Sequence, residues 1–117
     1  MGSIFGIAGG PLSFSSASGG KVWPFNNLNT ASAQVLAVNS SRQSIVFHNP
    51  GAVDVFVHPA VDANGNTIAA SIGLPGGTFR VFANGGTLQV TGECQGAWNA
   101  FSASGNNNPL TVMESNV

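Results

Sequence analysis

From about Ala33 onward the large apolar residues fall in short runs rich in Val, Ile, Phe and Thr, each bounded by Gly, Pro, Asn or Asp. That is the pattern of β-strands separated by turns. Gln34 to Val38 forms the first run. Arg42 to His48 puts Gln43, Ile45 and Phe47 on one side and Ser44, Val46 and His48 on the other, with Val46 breaking the alternation. In Val53 to His58, Val53, Val55 and Val57 share a face opposite Asp54, Phe56 and His58. Asn49, Pro50 and Gly51 between these runs predict a hairpin, because proline presets the first corner and glycine accepts positive φ. A second hairpin is predicted where Thr78 to Ala83 and Thr87 to Thr91 flank Asn84, Gly85 and Gly86. Ala97 to Ala103 and Leu110 to Met113 complete the clear strands, and Thr67 to Ile72 reads as a weaker strand or a loop. About seven to eight short strands with frequent turns and no amphipathic helix predict an all-β chain, an antiparallel β-sandwich or jelly-roll-like single domain. Its expected core is Ile45, Phe47, Val55, Val57, Phe79, Val81, Leu88 and Val90.

Residues 1–32 have a different texture, rich in Gly, Ser and Asn. Large apolar residues (Ile4, Phe5, Ile7, Leu12, Phe14, Val22, Trp23 and Phe25) are scattered there at no helical or strand period. The expected organisation is an extended N-terminal arm over 1–32 followed by a sandwich domain over 33–117. Aromatic residues on such an arm suit anchors that dock on a partner, and the alternative is an arm that packs back over its own domain.

Charge narrows the function. Lys21, Arg42 and Arg80 face Asp54, Asp62, Glu93 and Glu114, so only 6% of the 117 residues are charged. An average soluble domain carries about 25%. Three scattered cations do not make the phosphate-neutralising footprint of a nucleic-acid binder. A net charge of −1 leaves little self-repulsion, which suits a component of an assembly. A hydrophobic fraction of 43% and a mean hydropathy of +0.21 argue against a disordered chain. No apolar run approaches the ~18 residues of a membrane span, and Met1 to Phe14 lacks the cationic start of a signal peptide.

Candidate chemistry is sparse. Asp54 and His58 share a strand face, but positions four apart in a strand lie ~13 Å apart, too far to share an ion; His48 could reach Asp54 only across the hairpin. Asp62, Asn64 and Asn66 begin like a calcium loop, but Thr67 and Gly73 stand where such a loop needs Gly and Glu, so an Asx turn at Asn64-Gly65 is expected. Cys94 is the only cysteine, which excludes an internal disulfide and a Cys-rich zinc site, and it has no basic neighbour in sequence. No serine lies in a nucleophile elbow, and Gly73 to Gly77 lacks the lysine of a phosphate loop. No catalytic, cofactor-binding or metal-binding residue is assigned. Trp23, Trp98 and Phe82 raise a separate reading as sugar-stacking surfaces, against which Trp98, set among small residues, suits a core or subunit interface.

The runs Ser32-Ala33-Gln34-Val35-Leu36-Ala37, Arg42-Gln43-Ser44-Ile45-Val46-Phe47-His48-Asn49-Pro50-Gly51 and Gly96-Ala97-Trp98-Asn99-Ala100-Phe101 resemble small virion proteins of tailed bacteriophages. In particular, residues 30 to 117 resemble in texture the jelly-roll-like cement, or decoration, proteins of short-tailed phages. The resemblance implies a non-enzymatic protein on the outer surface of the capsid, bridging major capsid subunits as a homodimer or homotrimer, with no cofactor, nucleic-acid or membrane partner. The arm lies outside that resemblance; its texture makes Ile4, Phe5, Ile7, Leu12, Phe14, Trp23 and Phe25 the expected capsid or subunit anchors, and Phe82 and Trp98 are expected as further interface or glycan-stacking residues. Phage tail or fibre modules and carbohydrate-binding sandwiches share the texture and stand as alternatives.

Overall fold

The computed structural model describes residues 20–62, 64–68, 78–92 and 94–116, and among them every regular element is a strand. The strands are β1 (Gly20–Leu28), β2 (Ala33–Leu36), β3 (Arg42–Asn49), β4 (Val55–Pro59), β5 (Phe79–Val81), β6 (Gly86–Thr91), β7 (Trp98–Ser102) and β8 (Asn108–Asn116). They form two antiparallel four-stranded sheets, ordered β1-β8-β3-β6 and β2-β7-β4-β5. Of the strands consecutive in sequence, only β4 and β5 share a sheet; every other connection crosses between layers, the winding of a jelly roll.

Alternation decides which side chains fill the space between the sheets. Ile45 and Phe47 of β3 lie opposite Val90 and Leu88 of β6 and opposite Glu114 and Val112 of β8, so this row points inward. Val55 and Val57 pair with Val81 and Phe79 on one side and with Ser102 and Ala100 on the other, and supply the facing row. Ile45, Phe47, Val55, Val57, Leu110 and Val112 are fully buried, with Leu88 and Val90 packed at the margin. Each such side chain contributes roughly 1.5–3 kcal/mol by leaving water. Phe47 meets Trp98 across the sandwich at 5.5 Å between ring centroids.

The structure corrects the sequence expectations in three places. First, 20–28 is no arm: β1 pairs with β8 over most of its length, so this stretch, with Trp23 and Phe25, is part of the sandwich. A strand pairing with a distant partner leaves no short-range turn in the sequence, and Pro24 masks it further, though proline is tolerated on an edge strand. Residues 1–19, with the proposed anchors Ile4, Phe5, Ile7, Leu12 and Phe14, lie outside the described residues.

Second, neither predicted hairpin exists as a ladder. β3 and β4 lie in different sheets, as do β5 and β6. The expected turn chemistry is present at the second site, with Asn84 and Gly85 at φ of 62° and 102°, whereas Gly51 in the first does not take positive φ. A tight turn reverses the chain without dictating which layer the next strand joins. Third, Phe79 has the inward parity expected but remains 50% exposed, because β5 is short and Phe79 stands at its open end, 6.3 Å from the Trp98 ring. Of the stretch read as a weaker strand or a loop, Thr67 makes an isolated bridge with Val61, and 69–72 lies outside the described residues.

Candidate functional site

β1 and β2 are the edge strands on the same side of the sandwich, and there the two sheets part into a cleft of about 500 Å³. Lys21, Trp23 and Phe25 form one wall, because their parity on β1 matches that of the inward residues Glu114, Val112 and Leu110 on β8. Val35 and Leu36 of β2 and the Ala37–Asn39 turn form the other. Arg42 and Glu114 close the cleft floor at the start of β3 and near the end of β8.

The floor is a buried ion pair. Arg42 and Glu114 are 1% and 3% exposed, and Arg42 Nε donates to Glu114 Oε1 at 3.1 Å. Two buried charges are costly unless their remaining hydrogen-bonding capacity is filled, and here it is. Arg42 Nη1 donates to the carbonyls of Cys94 and Gly96 at 2.8 and 2.9 Å, and Nη2 to that of Ala37 at 2.7 Å. Glu114 accepts from the Asn39 amide at 2.9 Å and, through its other oxygen, from the Trp23 indole N–H. The second Asn39 amide proton goes to Asn116 Oδ1 at 2.8 Å. Burial pushes the Glu114 carboxyl up, but hydrogen bonds from Asn39, Trp23 and Arg42 and the Arg42 charge outweigh it, holding the group below the ordinary carboxylate range. One carboxylate thus fastens β1, the 37–39 turn and β3 to β8, and one guanidinium fastens the 94–96 loop.

Trp23, expected as an anchor on a separate arm, is therefore a cleft wall held by its own nitrogen, with 42% of its surface exposed. Phe25, likewise expected as an arm anchor, is half-buried against the core. Trp98 is 4% exposed and belongs to the core, which removes it as an interface or glycan-stacking residue. Phe82 is 59% exposed, and the Arg80 guanidinium lies 4.6 Å above its ring. Arg80 also pairs with Asp54, whose carboxyl is held low chiefly by the Ala83 N–H and then by Arg80.

The imidazoles are not brought together. His48 lies on β3 within 3.4 Å of Thr87 Oγ1, whereas His58 is buried on β4 in the other sheet. The Pro59 carbonyl, 2.7 Å from His58 Nδ1, can only accept, so Nδ1 carries a proton, and Nε2 shares a hydrogen bond with the Ser32 hydroxyl at 2.8 Å. This pairing fastens the loop before β2 to β4. Asp62 Oδ1 accepts from the N–H groups of Asn64 and Asn66, with Gly65 at φ 81°, the Asx turn its sequence predicts. Cys94 is fully buried and its thiol is pushed up by that burial, with the Arg42 charge opposing.

The fold defines the class: among the described residues, eight strands form a jelly-roll-like sandwich with an open edge cleft above an ionic floor. Comparison of the chain with protein-family models, with curated proteins and with solved structures finds no match in any of the three.

Proposed function

We propose that this chain is a non-enzymatic virion structural protein, a cement protein that binds the outer surface of a phage head and bridges neighbouring major capsid subunits, acting as a small homo-oligomer. The observation that supports this reading is a sheet face without charge. Outward on β1, β8, β3 and β6 lie Val22, Met113, Val46 and Gln89 in one row, and Pro24, Thr111, His48 and Thr87 in the next. None of these is Lys, Arg, Asp or Glu; Val22 on the edge strand is 52% exposed, whereas Val46 on the inner strand is only 4% exposed. A solvated sheet face normally carries charges that keep it apart from other surfaces. An uncharged one suits contact through apolar burial and hydrogen bonds, and repetition over a shell multiplies a modest contribution per copy, at ~25 cal/mol per Å² of apolar surface.

The test is co-sedimentation with phage heads at rising salt. Binding should persist at about 1 M NaCl, where the Debye length is near 3 Å and ionic contacts are screened. Release at moderate salt would overturn the contact chemistry proposed. A glycan array provides the second arm: selective binding lost on Phe82→Ala would replace the cement reading with a carbohydrate-binding one.

A further inference from the structure

We propose that the cleft between β1 and β2 receives the N-terminal segment, residues 1–14, of a second copy of this chain. The inference rests on the reading of the protein as an assembly component and names one of its partners. The first ground is what the cleft has left to offer. Glu114 and the Asn39 amide spend their hydrogen bonds on one another and on Trp23, Arg42 and Asn116, and Arg42 spends four of its N–H contacts within the fold. A ligand recognised by hydrogen bonds would have to break that network. The surface that remains is the Trp23 ring, Phe25 and Val38, which is 73% exposed, with the exposed Lys21 side chain beside them as its one charge.

The second ground is the backbone. Among the described residues β1 and β2 are both terminal strands of their sheets, so each presents an outer row of N–H and C=O groups to the open edge. Such an edge accepts an extended chain by strand addition, with alternate side chains entering an adjoining cleft. An occupant suited to this edge is extended and apolar at intervals, and carries no cation to meet Lys21.

Residues 1–14 have that chemistry in sequence. They contain no Asp, Glu, Lys or Arg and carry Ile4, Phe5, Ile7, Leu12 and Phe14 among glycines and serines. The volume of about 500 Å³ falls in the ~300–1,000 Å³ range of sites that bury most of a small ligand, room for several of those side chains. The segment also starts in the right place. Gly20 opens β1, and Lys21 already lines the cleft, so each copy delivers its N-terminal residues from the rim. At ~3.3 Å per extended residue, 19 residues span about 60 Å, several times the ~4.8 Å spacing of neighbouring strands, which is ample to reach another copy. Two copies with open edges facing exchange their segments reciprocally, the self-complementary arrangement of a two-fold dimer.

The experiment uses the full chain with a photoreactive benzoylphenylalanine in place of Val38. Unlabelled and isotopically heavy copies are mixed dilute, concentrated together and irradiated. Trypsin cuts at Lys21 and Arg42, so the segment (1–21) and the cleft wall (22–42) are released as different peptides. The expected product joins 1–21 of one isotope to 22–42 of the other in about half of the cross-links, the random share for a two-fold exchange. Cross-links only within one isotope would show a chain filling its own cleft, and cross-links elsewhere or none would show that the cleft does not receive the segment; either result overturns the proposal. In parallel, Phe5→Asp with Phe14→Asp should weaken self-association at least tenfold in sedimentation equilibrium with an unchanged circular dichroism spectrum, and unaltered association would count against it. Head binding that persists without the mixed cross-link leaves the cement reading standing and removes this one; the mixed cross-link without head binding does the reverse.

Discussion

β3 begins and ends on a buried polar residue, and the two ends are built differently. At its start Arg42 is charged, needs Glu114 beside it, and closes the floor of an open cleft. At its other end Asn49 is neutral and fully buried; its amide donates to the carbonyls of Val53 and Val81 at 2.8 and 3.0 Å, and its oxygen accepts from the Gly51 N–H at 3.0 Å. Both residues knit loops onto the core. The neutral end is closed by a tight turn: Gly85 N–H reaches the Asn49 carbonyl, and Gly86 N–H reaches that of Phe82. The difference teaches where charge is retained in a chain that has so little. It stands where the sheets separate and a gap must be held at fixed width, whereas an amide suffices where the chain packs on itself.

Breaking the charged end should have the largest effect. Glu114→Gln leaves the Arg42 guanidinium buried without its counter-ion, at a cost of about 3–5 kcal/mol and a fall in Tm on the order of 10 °C by calorimetry. Replacing both partners, Arg42→Met with Glu114→Leu, should recover only part of this, because the carbonyls of Ala37, Cys94 and Gly96 lose their donor. Full recovery would show that the guanidinium is dispensable to the loops.

At the neutral end the expected losses are smaller. Asn49→Ala orphans two carbonyls and an N–H, for about 1–3 kcal/mol. Gly86→Ala places a Cβ 2.2 Å from the Phe82 carbonyl oxygen, a backbone clash that relaxes only by moving the turn, at a similar cost of about 1–3 kcal/mol. Denaturant midpoints would read both.

Acid separates the ends qualitatively. The Glu114 carboxyl sits below its ordinary value of 4.5, so its contribution is complete above that pH and is lost as pH falls through the depressed folded-state value. Wild type and Asn49→Ala should share the same decline of Tm below about pH 4.5, whereas Glu114→Gln should decline less steeply, its remaining slope coming in part from Asp54. Trp23→Phe is the finest probe. It keeps a ring in the cleft but removes one donor to Glu114, so stability should drop by about 1 kcal/mol and the acid midpoint should move to higher pH. An unmoved midpoint would detach Trp23 from the network.

Legibility in the sequence followed the range of the interactions. The alternation of Ile45 and Phe47, and of Val55 and Val57, marks inward faces because burial acts on each strand separately. β1 reads as arm in the sequence because its partner, β8, lies some 90 positions away, as the Trp23–Glu114 contact shows with a separation of 91. The layer switches at Asn49-Pro50-Gly51 and Asn84-Gly85-Gly86 were invisible for the same reason. One signal in the site was available: extending the parity of Leu110 and Val112 by two places puts Glu114 on the inward face, where a carboxylate requires a buried cation, and the chain has only three to offer. Nothing local pointed to Asn39, Val35 or Val38 as neighbours of Trp23, since the two sheets bring them together.

The claim that the open edge is the contact edge is tested most directly by hydrogen–deuterium exchange of the full chain over a concentration series from monomer to assembled oligomer. Assembly should slow exchange at 20–28 and 33–39, the strands and turn around the cleft, and leave the opposite edge at 79–91 unchanged. Slowing confined to 79–91, or an oligomer that forms with no slowing at the cleft strands, would contradict the account.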